Sequence, residues 1–167
     1  MAPSGKIIAI AAVVVVALLA AYTIYEYTSV PGTVTTPVPS KFTVNGRSYS
    51  FTYIATTYSE RLEGLMDKQI TNSTTMLFAF PSFSEWQFWM LDTNTSLDMI
   101  WVNATGATGR VVYVVTSAQP CYDSNTCMVY IPTSPANYVI EAKAGFASAN
   151  GVATGTGISF SAFEPSD

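Results

Sequence analysis

Apolar positions along the chain fall into three regimes. Residues 7–25 (IIAIAAVVVVALLAAYTIY) run for 19 positions without a charge. A helix of that length reaches about 29 Å, close to the thickness of bilayer hydrocarbon, so a single transmembrane helix is expected there. Residues 29–40 (SVPGTVTTPVPS) have three prolines, no charge and no periodicity, the pattern of an extended stalk. From residue 41 onward, apolar and polar residues alternate in short runs broken by Gly, Pro, Asn and Ser, as half-buried strands require.

In that last regime, residues 41–54 alternate about Asn45-Gly46, a pair that favours a two-residue hairpin turn. Thr57-Tyr58-Ser59-Glu60 has the form of a capping box ahead of Leu62, Leu65 and Met66, predicting one short helix from about residue 58 to Lys68. β-rich runs follow at 75–80, 85–91, 97–103, 110–116, 128–131, 137–144 and 157–163, with 106–109 as a hairpin loop. Strands at this spacing with one helix predict a mainly β (α+β) domain, a compact antiparallel barrel or sandwich-like fold, behind a single transmembrane helix. The expected organisation is a cytoplasmic stub and signal anchor at 1–26, a stalk at 27–40 and an extracytoplasmic β-domain at 41–167.

Charge around the apolar run sets the orientation. Lys6 is the only charge before it and Glu26 the first after it, so the N-terminus is expected in the cytoplasm and the domain outside the cell membrane. The exit Ala20-Ala21-Tyr22-Thr23 places Leu18 or Leu19 where a cleavage site wants a small residue, which favours an uncleaved anchor. The alternative is a leader cut after Gly5, as in archaeal pilins. Cys121 and Cys127, the only cysteines, lie in PCYDSNTC and suit a small-loop disulfide in an oxidising compartment. Asn72, Asn94 and Asn103 head N-x-S/T sequons and are candidate glycosylation sites, with an unusual fourth at Asn125 that needs Cys127 as its third residue.

Composition narrows the chemistry. Charged residues make up 11% of the 167, and the net charge is −4, so capture of nucleic acid is excluded on electrostatic grounds. No histidine is present, which removes Ser-His-Asp and Cys-His catalysis and imidazole-based metal sites. With few carboxylates to pair, stability is expected to fall little on acidification to about pH 3.

Gly64-Leu65-Met66, Met76-Leu77-Phe78-Ala79-Phe80, Phe88-Trp89-Met90, Leu97-Asp98-Met99-Ile100, Pro120-Cys121, Tyr138-Val139-Ile140-Glu141 and Gly145 follow one another in the order and spacing of a known pattern. In these motifs the chain resembles the domain of unknown function 192 family over about residues 42–160. The resemblance implies a small, mainly β fold found in bacteria and archaea, often behind a signal peptide or anchor, and implies no reaction. Where that family has Lys-Asn-Thr after the aromatic motif, this chain has Leu91-Asp92-Thr93.

Three constellations are candidates for function. Asp98 and Glu141, flanked by apolar residues, could pair in a groove as acid and base, with Trp86, Trp89 and Trp101 as sugar-holding aromatics; they could equally accept loop N–H groups or pair with Arg61 or Lys68. Met66, Met76 and Met90 offer thioethers of the kind that select cuprous copper, or fill the core. In Trp86-Gln87-Phe88-Trp89-Met90, alternation sends Trp86, Phe88 and Met90 to one face and Gln87 and Trp89 to the other, which makes Trp89 a candidate anchor for a partner chain. The expected function is a non-enzymatic accessory subunit or binding module of an envelope assembly. Its expected partners are the bilayer, through residues 7–25, and other membrane or envelope proteins. The alternative is a ligand- or soft-metal-binding protein or an enzyme, using Asp98 and Glu141 or the three methionines. No catalytic residue, resident metal or cofactor is assigned.

Overall fold

A computed structural model describes residues 37–164; the apolar run at 7–25, the stub before it and most of the stalk lie outside the described residues. Among the described residues, no helix is long and apolar enough to cross a membrane.

Local signals near the start of the domain act as their chemistry dictates. Strands β1 (Val38–Val44) and β2 (Arg47–Ser50) are joined by Asn45-Gly46, with φ of 47° and 78°. Two left-handed positions in succession give the turn whose twist matches the strands it joins. β1 takes up the last three residues of the segment read as stalk. After β3 (Tyr53–Ala55), Thr57 caps helix α1 (Tyr58–Glu63): the Glu60 N–H donates to Thr57 Oγ1 at 3.3 Å, and Glu60 Oε2 accepts from the Thr57 N–H at 2.8 Å. Helix α1 ends at Gly64 rather than at Lys68. Gly64 turns to φ 51°, and a Cβ there would meet the Phe78 ring at 3.3 Å, so the chain can pass this close only with glycine.

The remaining elements are β4 (Thr75–Ser84), β5 (Leu97–Thr105), β6 (Thr108–Ala118), β7 (Ala136–Lys143), helix α2 (Phe146–Ala149) and β8 (Gly157–Glu164). The eight strands form one sheet in the order β2-β1-β8-β6-β5-β7-β4-β3. Its outermost strands, β2 and β3, are separated in the chain only by Phe51 and Thr52, so the sheet must curl until its two ends approach. The Thr52 N–H donates to the Thr75 carbonyl at 2.8 Å, and the Phe51 N–H to the Ser40 carbonyl at 2.9 Å, tying this link to both sides.

The mainly β expectation holds, with a single curled sheet in place of two facing ones. Three further points differ from the sequence reading. The pair β3·β4 is parallel, with α1 in the crossover. The runs at 85–91 and 128–131 are not strands; they are irregular segments joined by the isolated bridges Phe88–Tyr130 and Leu91–Cys121. A second short helix, α2, follows β7.

Both faces of the sheet are covered, which is why β4 and β5 each carry six consecutive buried residues. On the first face, Phe42, Val44, Leu77, Ile100, Val102, Ile140, Ile158 and Phe160 pack with Ala147 of α2. On the second, Met76, Phe78, Met99, Trp101 and Val139 pack beneath Leu65 and Met90. The second layer is supplied by the irregular segments and the residues after α1, not by another sheet.

Candidate functional site

Strand register decides the paired-carboxylate reading. Along β5 and β7, Met99 lies opposite Glu141 and Asp98 opposite Ala142. Directly opposed residues share a face and successive residues alternate, so Asp98 and Glu141 project to opposite sides of the sheet. They cannot act on one bond. The alternative of a shared acid–base groove is thereby overturned.

Asp98, with no exposed surface, performs the structural role weighed against catalysis. Oδ1 accepts the Ser117 N–H at 2.9 Å, while Oδ2 accepts the N–H groups of Gly145 at 3.1 Å and Ala147 at 2.8 Å. The carboxylate therefore joins the end of β6 to the corner before α2. Ser117 holds φ 54°, which turns its N–H toward this acceptor's side of the strand.

Glu141 is also buried, at 4% exposure, and among the described residues no backbone N–H cradle like that of Asp98 surrounds it. Burial alone pushes its pKa up to about 8, so it carries a proton at neutral pH. Lys68 is engaged elsewhere, in an exposed ion pair with Glu63. The Arg61 guanidinium donates to the carbonyls of Thr56 at 2.6 Å and Ala79 at 3.1 Å and lies over the Phe80 ring. Direct cross-strand neighbours of Glu141 are Met76 on β4 and Met99 on β5.

Of the three methionines singled out, Met76 and Met90 are buried in the second-face cluster. Met66 is half-buried and is not among the residues packed there. Met99, wholly buried beside Glu141, takes its place. Sequence reasoning missed it because Leu97, Met99 and Trp101 read as an ordinary core stripe. The signal lay in pairing that stripe with the alternate positions Val139 and Glu141.

The tryptophans do not form a common cleft. Trp101 is fully buried and donates Nε1–H to the Trp86 carbonyl at 2.8 Å. Trp86 stacks on Phe80, with ring centroids 4.1 Å apart. Trp89 alone is exposed, at 38%. Alternation along 86–90 nevertheless places side chains as expected, with Met90 buried and Gln87 and Trp89 outward.

Trp89 is part of a larger apolar surface. Phe88 and Tyr130 exchange backbone hydrogen bonds at 3.0 and 2.8 Å, which sets Trp89 beside Val129. Cys121 and Cys127 are bridged, with Cα atoms 5.5 Å apart, and Asp123 folds the loop between them by accepting the Asn125 N–H. The loop and the residues after it expose Tyr122 (69%), Met128 (66%), Val129 (47%) and Ile131 (50%). In the sequence 128–131 is only a β-rich run, and nothing in it marks these residues as exposed.

The three sequon asparagines are all exposed. Asn94 and Asn103 donate to the Lys68 and Pro135 carbonyls, each at 3.3 Å. Asn72 borders an open cavity of about 550 Å³ together with Tyr49, Phe51, Ser73 and Phe146. No cluster of three or more His, Cys, Asp or Glu capable of holding a metal occurs among the described residues.

With this geometry established, a family model for an uncharacterised conserved protein group matches residues 41–160, most of the chain. The chain belongs to the domain of unknown function 192 family. The matched segment holds Trp89, Asp98, the disulfide and Glu141. Two crystal structures share the fold. One, described as a candidate transcription regulator from Sinorhizobium meliloti 1021, is 25% identical with a TM-score of 0.61, covering 75% of this chain and 95% of the other. The second, a protein of unknown function from Novosphingobium aromaticivorans DSM 12444, is 27% identical with a TM-score of 0.57, covering 74% and 85%. No curated protein matches the chain.

Proposed function

We propose that this member of the domain of unknown function 192 family is a non-enzymatic contact module. In this reading it is anchored in the cell membrane by residues 7–25 and displayed outside the cell, as an accessory subunit of an envelope protein assembly. The observation that carries the reading is the apolar surface formed by Trp89, Tyr122, Met128, Val129 and Ile131. These residues sit on two backbone segments pinned by bridges and a disulfide, so the surface is presented with little entropy left to lose on binding. Exposed Trp and Tyr on such a surface are the side chains that contribute most to protein contacts. The opposed directions of Asp98 and Glu141 remove the main enzymatic alternative.

Further support comes from the apolar run with Lys6 before it, from the disulfide, and from three exposed sequons open to glycosylation. The transcription-regulator description of the Sinorhizobium relative is not carried over. A net charge of −4 opposes DNA, and among the described residues the longer helix has six residues, too short to read a groove.

The test is co-purification of the full chain from native membranes in mild detergent. Trp89→Ala should leave the protein folded and weaken association with the co-purifying envelope protein by about 2 kcal/mol, roughly thirtyfold in affinity. Unchanged association would remove Trp89 from the contact. Release of the chain by carbonate washing, or a mature N-terminus beyond residue 17, would remove the anchor.

A further inference from the structure

The second face of the sheet holds a group that the contact surface does not use. Glu141 lies at the centre of three neighbouring strands, β4, β7 and β5, with Met76 directly opposite on one side and Met99 directly opposite on the other. Opposed Cβ atoms in such a ladder stand about 4.5–5.5 Å apart. Each thioether sulfur is two bonds beyond its Cβ, so both methionines can lean over the carboxyl between them. All three side chains are at least nine-tenths buried. Lys143, two residues along on the same face, forms no ion pair with it; among the described residues, the ion pair is Lys68 with Glu63.

Burying a carboxyl is costly, and a Leu or Met at the same place would pack without that cost. Its position between two sulfurs gives it a use. Thioethers are soft donors that select cuprous copper over the hard divalent ions, and the Glu141 carboxyl, on releasing its proton to solvent as the ion binds, supplies the negative charge that neutralises it in a low-dielectric site. No thiol competes among the described residues, since both cysteines are bridged, and the chain has no histidine.

We propose that Met76, Met99 and Glu141 form a binding site for one soft monovalent cation, cuprous copper, on the second face of the sheet. Met90 is buried in the same cluster as the two methionines. The cluster read from the sequence, Met66, Met76 and Met90, is thereby corrected in one member: Met99 belongs to it and Met66 does not. The site is separate from the contact surface, so the two proposals can fail independently.

The test uses the full chain in detergent with its disulfide intact. Copper is kept cuprous by ascorbate, and silver(I) in chloride-free buffer serves as a redox-inert probe. Native mass spectrometry should show one ion per chain. Competition with a chromogenic cuprous chelator should show at least a tenfold loss of affinity in each of Met76→Leu, Met99→Leu and Glu141→Gln. Met128→Leu, at an exposed position outside the site, should bind as the parent does. Where a core variant does not fold, copper-edge X-ray absorption of the parent chain still decides: two sulfur neighbours and one oxygen are expected. A parent chain that binds neither ion, variants that bind as tightly as the parent, or a copper shell of oxygen and nitrogen alone would overturn the site. None of these outcomes bears on co-purification through Trp89.

Discussion

Two carboxyl groups are buried within one strand pair of this sheet, and they are treated in opposite ways. Asp98 on the first face meets three backbone N–H groups, whereas Glu141 on the second face stands opposite Met76 and Met99 in the ladder. Burial to a similar degree leaves one group as an architectural acceptor and the other protonated at neutral pH. The lesson is that burial of an acid does not by itself indicate its role. The donors around it do: chain corners bring backbone N–H groups to Asp98, and the strand interiors beside Glu141 bring methionines instead.

The largest effect should come from the pH dependence of Glu141. Its folded pKa of about 8 lies above its ordinary 4.5, so the native state holds a proton that the unfolded state releases between these values. Stability is then greatest below about pH 4.5, falls as pH rises toward 8 and levels off above it. The total is roughly 4–5 kcal/mol for the metal-free chain. Thermal unfolding across pH 4–9 should show this decline, and Glu141→Gln should flatten it; a parent curve that rises over the same range would break the contrast.

Next in size is Asp98→Ala, which removes the acceptor of the Ser117, Gly145 and Ala147 N–H groups, the last of them buried. A loss of about 4 kcal/mol in chemical denaturation is expected, with Asp98→Asn milder because one acceptor oxygen remains. A loss under 1 kcal/mol would show that the corner before α2 is held by packing instead. Cys121→Ser should cost about 2 kcal/mol by loop-closure entropy. Hydrogen exchange should place the loosening in the 121–127 loop and the bridged segment at 88–91, and leave the Asp98 corner protected; a loosening spread over both faces would mean that the two layers are coupled. The smallest effect, about 1 kcal/mol, belongs to Thr57→Ala, which removes the side-chain cap of α1. Burial acts to raise the Glu60 pKa, but hydrogen bonds from Thr57 and Thr56 together hold it below its ordinary value. In the Thr57→Ala variant, titration of Glu60 should move upward.

What could be read from the sequence was local. Asn45-Gly46 announces its turn and Thr57-x-x-Glu60 its helix start because both work within four residues. Alternation at 86–90 assigns the right side chains to inside and outside even though no ladder forms there, since the segment lies on the core much as a strand would. The segment at 128–131 misleads for the same reason: an apolar run looks identical whether it is buried in a sheet or displayed beside Trp89. The opposed directions of Asp98 and Glu141, and the meeting of Met76 with Met99, depend on register between strands more than 20 residues apart. Alternation in each strand gives two faces but not which faces match, so the site could not be assembled before the sheet was.

The curled sheet ends in strands of four and three residues, β2 and β3, consecutive in the chain. Such short margins offer almost no row of free N–H and C=O groups on which a foreign strand could template itself. Crowded at a surface, many copies of this domain could collide without zipping into fibrils. For the same reason β2 and β3 give a partner little edge to extend, which favours recognition through side chains. That makes the contacts of the domain adjustable one residue at a time, with the backbone scaffold left untouched.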